Sequence, residues 1–145
     1  GVSASLIEYP HDTTRAILSL LFSGTFVRCR DIRFVFCHAG GTLPALTGRI
    51  EWGTVRMGNF AELAPDGYRA ELARLHFDTA TSTNPISFDA LTSVVPVSQI
   101  LLGSDFPYGL LGPTIAGLDD CNLNEAEIKA IEHDNAIRLV PRFGK

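Results

Sequence analysis

Three short apolar segments, each with an ionisable side chain at or near its end, constrain this fold more than any other feature of the sequence. They lie at residues 32–37, 76–80 and 99–105. Such near-continuous apolar runs are typical of strands that are buried on both faces. The connections between them are too long for hairpins and carry helical patterns, so we predict parallel strands and an α/β fold.

The predicted order of elements is helix, strand, helix, strand, helix, strand, helix. Capping residues, glycine and proline mark the boundaries of the helices. We expect a first helix that begins at Asp12 or Thr13 and ends at Gly24, a second through "GTLPALTGRIEWG" with Pro44 in its first turn, a third over residues 68–75, a fourth capped by Asn84 before Pro85, and a last one between Asn122 and Pro141. The stretch between the third strand and the last helix is predicted to be a loop.

The ionisable residues fall where the predicted strands end. His38 follows the first strand, Asp78 ends the second, and Asp105 ends the third. The carboxyl ends of parallel strands meet at one edge of a sheet, which is where α/β proteins place their active sites. We therefore predict a functional site at this edge.

His38 and Asp105 each have a structural explanation beside the functional one. Taken alone, His38 is equally compatible with a core histidine bonded to the backbone. Gly40 and Gly41 favour a ligand, because glycine lets the backbone approach closely and the following helix offers free N–H groups to an anion. Asp105 is either a turn cap, or a metal ligand or proton carrier.

The polar residues of the second strand are more easily explained by structure. We interpret Asp78 as a turn residue satisfied by Thr79, Thr81 or Ser82. His76 lies one residue inside the strand, and its direction is left open.

The composition excludes several classes of function. The chain has 145 residues, 46% of them hydrophobic and 19% charged, which fits one globular domain. A net charge of −4 with scattered arginines argues against a nucleic-acid surface. The longest apolar run is too short to span a bilayer, so no membrane association is expected. Three cysteines without a C-x-x-C pair favour a reducing compartment, and we expect a cytoplasmic protein. The sequence contains no G-x-S-x-G, P-loop or dinucleotide motif.

Four motifs together resemble a known enzyme family. The segments "FVFCHAGGTLPALTGRI", "HFDTATST", "QILLGSDFPYG" and "NAIRLVPR" are similar to the amidohydrolase-related family 2, a group of metal-dependent TIM barrels. The group includes aminocarboxymuconate semialdehyde, γ-resorcylate and 6-methylsalicylate decarboxylases. The resemblance implies the C-terminal portion of a (β/α)8 barrel, in which residues 32–37, 75–77 and 100–103 correspond to strands six, seven and eight.

The resemblance also assigns roles to individual residues. Asp105 matches the family's metal-ligand aspartate, and His38 matches a histidine beside the metal that orients substrate or activates water. Arg49 matches an arginine that reaches the substrate of a neighbouring subunit, which implies a homo-oligomer. Taken alone, Arg49 would be a surface charge, the usual outcome for arginine. With Gly40 and Gly41, Arg49 is the predicted substrate-binding set. The implied cofactor is a divalent metal ion, with zinc favoured and manganese or magnesium as alternatives.

The resemblance predicts that the family's other ligands lie outside these residues. Those ligands are a His-x-His or Glu-x-His pair on strand one and a histidine on strand five. A barrel of this type needs about 250 residues, and a zinc site about three protein ligands. We therefore expect residues 1–145 to form a single partial domain that alone binds metal poorly and has little activity.

The expected activity is metal-dependent, non-oxidative decarboxylation of a small aromatic or unsaturated carboxylic acid. A metal-dependent hydrolase of a lactone or amide is the first alternative, because the strand-end residues suit either reaction. A catalytically silent interaction piece is the second.

Overall fold

A three-stranded parallel sheet forms the centre of the fold. The computed structural model describes residues 1–144 and contains strands β1 (Val35–Phe36), β2 (His76–Asp78) and β3 (Ile100–Leu101), in the order β1-β2-β3. Both pairs are parallel, as predicted. All three strands are shorter than the predicted segments, β1 and β3 the most, because among residues 1–144 each outer strand has a single neighbour and its ladder extends only where that neighbour lies opposite.

Helices occupy the connections between the strands. The α-helices of residues 1–144 are α1 (Glu8–Phe22), α2 (Thr25–Arg28), α3 (Thr47–Arg56), α4 (Phe60–Leu63), α5 (Tyr68–Leu72), α6 (Pro85–Thr92), α7 (Leu111–Leu118), α8 (Glu125–Lys129) and α9 (Asn135–Leu139). A π-helical segment, Ala130–Asp134, joins α8 to α9. None of these helices has the length and apolarity that a membrane crossing would need.

Some predicted helix boundaries are correct. Gly24 follows the end of α1 with a φ of 70°, the left-handed conformation that glycine adopts easily. The side chain of Asn84 caps α6 by accepting a hydrogen bond from the backbone N–H of Ser87, and Pro85 is the first helical residue.

Other boundaries were predicted wrongly. Helix α1 begins at Glu8 rather than at Asp12 or Thr13, because Pro10 falls in its first turn, where no intrahelical N–H is needed. The last helical region is capped by Asn124 instead of Asn122, through a capping box with Glu127. The predicted loop contains α7, whose Pro113 lies in the first turn.

The helix predicted over "GTLPALTGRIEWG" is two elements, and the one predicted over residues 68–75 is shorter. A 3₁₀ turn, Pro44–Leu46, precedes α3, so Pro44 begins the turn and not the α-helix. Helix α5 ends at Leu72. The chain turns after it, with the backbone N–H of Leu75 donating to the carbonyl of Leu72, and then enters β2.

The hydrophobic core covers one face of the sheet. Phe77 of β2 and Ile100 of β3 are completely buried, together with Ile17 and Leu21 of α1. On the other face Val35 is 48% exposed, so within residues 1–144 the sheet is not buried on both faces as its composition predicted.

The buried carboxylate of Glu71 connects α5 to the segment that follows α2. The side chain of Glu71 is inaccessible to solvent and accepts hydrogen bonds from both terminal nitrogens of Arg30, at 2.5 and 2.7 Å. Arg74 donates a third bond at 2.9 Å. The hydrogen bond with Glu71 raises the pKa of Arg30 above its ordinary value. The two arginines satisfy a charge that would otherwise be costly to bury.

Replacing Arg30 with methionine removes the partner of one oxygen of the buried Glu71 carboxylate. We expect R30M to lower the free energy of unfolding by about 2 kcal/mol, the size of a hydrogen bond to a charged group. The matched control is R69M, since Arg69 meets Glu51 at 3.8 Å with both side chains more than half exposed. It should cost less than about 0.5 kcal/mol. Urea titration of both variants checks this, and equal losses would show that Glu71 does not depend on Arg30.

His76 is a half-buried titratable group at the start of β2. Its backbone N–H donates to the carbonyl of Phe34, and its Nδ1 is buried without a hydrogen-bond partner among residues 1–144. Burial lowers the pKa of His76 below its ordinary 6.5, and the nearby Arg138 and Arg33 lower it further. The unfolded chain therefore takes up a proton at higher pH than the folded one.

Stability should consequently fall as the pH drops from above 6.5 through the lower pKa of folded His76. We expect H76Q to be less sensitive to acid than the wild type between about pH 7.5 and pH 5.5, because the side chain no longer titrates. H11Q is the control, since His11 is exposed on α1 and its ring bonds to the backbone carbonyl of Ile7, and it should keep the wild-type slope. Urea unfolding at several pH values measures the slope; an unchanged slope in H76Q contradicts the assignment.

Candidate active site

A cavity of about 660 Å³ opens at the carboxyl edge of the sheet. His38 and Asp105, predicted from separate strand ends, both line it. Asp78 is not among the lining residues. The remaining lining residues are Ser5, Leu6, Tyr9, Pro10, Thr81 and Tyr108.

The turn after β1 has a sharply constrained backbone. His38, Ala39, Gly40 and Gly41 all have positive φ, at 53°, 54°, 77° and 65°. Such values are uncommon for His and Ala and must be maintained by the surrounding contacts. The hydroxyl of Thr14 on α1 provides one such contact, since it lies 3.2 Å from the carbonyl oxygen of Gly40 and accepts from the backbone N–H of Thr42 at 2.9 Å.

Close packing explains both glycines of this turn. A Cβ on Gly40 would lie 2.8 Å from the Cε1 atom of Phe77, and one on Gly41 would lie 2.0 Å from the carbonyl oxygen of Pro10. Neither glycine is among the residues that line the cavity. Their predicted contact with substrate stays a prediction, whereas the structure shows that they let the turn pack against β2 and α1.

The ring of His38 is held by the segment that follows β2. Its Nδ1 lies 3.2 Å from the carbonyl oxygen of Ala80 and 3.0 Å from the hydroxyl of Thr81. A carbonyl oxygen can only accept, so this arrangement favours the Nδ1–H tautomer of the neutral ring, in which Nε2 has the free lone pair. Nε2 is therefore the nitrogen available to accept a proton, or to bind a metal, at the cavity.

Asp78 is a turn residue, as interpreted, but the partners predicted for it are wrong. Its Oδ1 accepts from the backbone N–H of His38 at 2.8 Å and from that of Ala80 at 3.0 Å. Thr79, Thr81 and Ser82 do not satisfy it. The bond to His38 crosses between neighbouring strands, so it depends on the register of the sheet rather than on local sequence.

Asp105 is held in a tight turn at the end of β3. Its φ is 64°, and its carbonyl oxygen accepts from the backbone N–H groups of Tyr108 and Gly109 at 2.8 and 2.9 Å. A Cβ on Gly109 would lie 1.9 Å from the carbonyl oxygen of Ser104, so this position requires glycine. The turn is therefore held by hydrogen bonds within its own backbone. Asp105 is half-buried and lines the cavity.

The structure does not bring Arg49 to His38 and Asp105. Arg49 is exposed on α3 and is absent from the cavity lining. Its guanidinium carbon lies 5.8 Å from the ring centroid of Trp52, and that of Arg56 lies 4.8 Å from the same ring. Trp52 is 59% exposed. A contact of Arg49 with substrate in another subunit stays a prediction.

A family model describes nearly the whole chain. The model of the amidohydrolase family matches residues 3–142. The chain belongs to the amidohydrolase family. Its fold is accordingly part of the amidohydrolase fold, which is a TIM-barrel fold.

Three similar proteins are informative. The 6-methylsalicylic acid decarboxylase of Penicillium expansum is 31% identical over 141 residues, which cover 95% of this chain and 44% of that protein. The apo structure of Metarhizium anisopliae IDCase is 26% identical with a TM-score of 0.77, over 94% of this chain and 40% of that one. The dihydroxybenzoic acid decarboxylase of Polaromonas sp. JS666, solved with bound manganese and the inhibitor 2-nitroresorcinol, is 18% identical with a TM-score of 0.76, over 92% and 41%. This last likeness shows the fold alone.

The chain covers less than half the length of several curated relatives. It spans between 39% and 44% of the lengths of four curated decarboxylases that it matches.

The donor atoms at the cavity fit part of a metal site. Within residues 1–144, no group of three or more His, Cys, Asp and Glu side chains is placed to hold a metal ion. The carboxylate of Asp105 and Nε2 of His38 are both donor types that divalent metals accept. These two side chains would provide part of the coordination of a metal ion at this cavity.

Sequence reasoning gave no role to five of the cavity residues, among them two tyrosines, and misplaced a sixth. No role was predicted for Tyr9 or Tyr108, which are 60% and 91% exposed and line the cavity. Thr81 was assigned to Asp78 but contacts His38. Tyr108 lies in the same turn as Asp105, which is a signal that could have found it; no local pattern marks Tyr9.

Replacing Gly41 with alanine should be strongly destabilising, because the new Cβ would overlap the Pro10 carbonyl and φ is positive. We expect G41A to lower the free energy of unfolding by at least about 2 kcal/mol. The control is G48A on α3, where a Cβ meets nothing within 4 Å, and it should be neutral or slightly stabilising. Thermal and urea unfolding compare the two; if G41A is as stable as G48A, the turn does not pack on α1 as described.

Proposed function

We propose that this chain forms the C-terminal part of a metal-dependent (β/α)8 barrel that decarboxylates a small aromatic or unsaturated carboxylic acid. In this proposal β1, β2 and β3 are strands six, seven and eight of the barrel. The observation that carries it is the meeting of His38 and Asp105 at one cavity on the carboxyl edge of the sheet. The family membership and the similarity to a 6-methylsalicylic acid decarboxylase support the reaction class.

The cavity suits a small planar acid. Its volume of about 660 Å³ lies within the range of small-molecule sites. Tyr9 and Tyr108 provide aromatic surface against which a ring can pack. The proposed partner is a small-molecule carboxylic acid, in line with the similarity to a 6-methylsalicylic acid decarboxylase.

The proposed cofactor is a divalent metal ion with Asp105 as one ligand. Such an ion supplies a Lewis acid that polarises the substrate. Manganese in the Polaromonas neighbour supports a divalent ion. Zinc, the first expectation from the sequence, stays a prediction beside manganese and magnesium.

The residues of this chain would act on protons and on orientation. Loss of carbon dioxide leaves an electron pair on the substrate carbon, which must then receive a proton. In the proposed reaction, the Asp105 carboxylate relays to that carbon the proton that the substrate acid releases on ionisation. His38, with its Nδ1–H held by Ala80 and Thr81, presents Nε2 to orient the substrate or a water molecule.

A hydrolase is the second candidate, and the free lone pair of His38 Nε2 favours it. A nitrogen in that state can accept a proton from water, as the opening of a lactone or the cleavage of an amide requires. Comparing carbon dioxide release with lactone opening over a panel of substrates separates the two reactions. If the full-length protein catalyses neither reaction in the presence of metal, the remaining candidate is a catalytically silent interaction piece.

Two finer expectations belong to the same proposal. The first is a homo-oligomer in which the exposed Arg49 and Trp52 on α3 form a contact surface between copies. Aromatic residues and arginine are enriched in such interfaces. A cytoplasmic location agrees with the three free cysteines.

Replacing Asp105 should abolish metal-dependent turnover in the full-length protein. We expect D105A to lose at least about 10³-fold in kcat, because a ligand and a proton donor are lost together. The control is D119N, since Asp119 is exposed at the end of α7 and should keep wild-type activity. Carbon dioxide release from 6-methylsalicylate and related acids is the measurement, and D105A activity within a few-fold of wild type would contradict the proposal.

A further inference from the structure

The segment after β2, residues 78–81, contacts both of the strand ends that carry the candidate catalytic residues. Asp78, Ala80 and Thr81 contact His38, and Thr79 contacts Gly103. Apart from Thr81, none of the four residues lines the cavity. The segment therefore reaches the site mainly through its neighbours.

Asp78 lies between the ends of β1 and β3. Its Oδ1 accepts the backbone N–H of His38, the first residue of the positive-φ turn. On the other side, a Cβ on Gly103 would lie 2.9 Å from the Cβ of Asp78 and 3.0 Å from its Cγ. The absence of a side chain at Gly103 is what leaves room for this carboxylate to reach His38.

Thr79 joins the middle strand end to β3. It is completely buried. Its hydroxyl donates to the carbonyl of Gly103 at 3.1 Å and accepts from the backbone N–H of the same residue at 3.1 Å. Gly103 precedes the turn that carries Asp105 by one residue, so this pair of bonds sets where that turn begins.

Ala80 and Thr81 act on the ring of His38 rather than on its backbone. Thr81 has a φ of 52°, which is unusual for a β-branched residue. This conformation accompanies the approach of its hydroxyl, and of the Ala80 carbonyl, to the same Nδ1.

We propose that residues 78–81 are a positioning element, in which Asp78 holds the backbone of His38 and Thr81 with the Ala80 carbonyl holds its ring as the Nδ1–H tautomer. As a consequence, Nε2 is the nitrogen that His38 presents to the cavity. The bonds between Thr79 and Gly103 fix the position of the Asp105 turn relative to that nitrogen. The catalytic purpose of this arrangement rests on the proposed function. The tautomer and the backbone bond do not, and they are measured without substrate or metal.

The first test is NMR of the protein with ¹⁵N-labelled histidine and backbone amides. The wild type should show His38 as the Nδ1–H tautomer, with a slowly exchanging backbone amide. T81V should shift the ring ¹⁵N pattern toward a mixture of tautomers. D78A should raise the exchange rate of the His38 amide about tenfold or more, since it loses a hydrogen bond to a charged group, whereas D78N keeps an acceptor oxygen and should restore most of the protection.

Gly103 offers a second way to disturb the same bond. G103A leaves Asp78 in place but sets a Cβ against it, and should raise the exchange rate of the His38 amide as D78A does. Controls are D89A and T54V, whose side chains lie on the helices α6 and α3, and both should give the wild-type spectrum. The proposal is overturned if His38 of the wild type is the Nε2–H tautomer. It is also overturned if D78N, T81V and G103A all leave the ring ¹⁵N pattern and the amide exchange of His38 unchanged, and D78A either leaves them unchanged too or does not fold.

The second test is kinetic and uses the full-length protein. D78A and T81V should each lower kcat by about 10- to 100-fold, as loss of an outer hydrogen-bond partner does. T81V should in addition shift the pH profile of kcat. Equal losses in D89A would contradict a positioning role. If the wild type releases no carbon dioxide from any acid, the proposed function fails, while the NMR result still decides the positioning of His38.

Discussion

The hydrogen bonds from the end of β2 to the ends of β1 and β3 are the constraint on which the candidate site depends. Asp78 binds the backbone of His38, and Thr79 binds both backbone groups of Gly103. Parallel strands bring their carboxyl ends to one edge, but they do not by themselves fix the turns that follow. These side-chain bonds extend the order of the sheet into the turns that carry His38 and Asp105.

Close packing offsets the conformational strain of the turns beside the site. The positive φ values at His38 and Asp105 are each of a kind that costs about 1–3 kcal/mol unless the surroundings impose it. Phe77 and Pro10 pack so tightly against Gly40 and Gly41 that the turn after β1 has no room to relax. The core on the helical face of the sheet therefore stabilises the conformation of the site on its edge.

The sequence alone predicted the parallel sheet and the strand ends that face one cavity, because apolar runs and long helical connections are local and redundant signals. It also predicted the cap at Asn84, which depends on neighbouring residues only. It did not predict the bond of Asp78 to His38 or the contact of Thr81 with His38, since both depend on the register of β1 against β2. Helix α7 was hidden because Pro113 and its neighbouring glycines resemble a loop, although proline is tolerated in a first turn.

The central claim is that Asp105 and His38 belong to one metal-dependent site, to which this chain contributes part of the ligands. Its most direct measurement is anomalous X-ray scattering, at the manganese absorption edge, from crystals of the full-length protein grown with Mn²⁺. The account predicts one manganese peak at the cavity, within bonding distance of the Asp105 carboxylate and beside the His38 ring. No manganese at the cavity, or a bound ion that the Asp105 carboxylate does not reach, would contradict it.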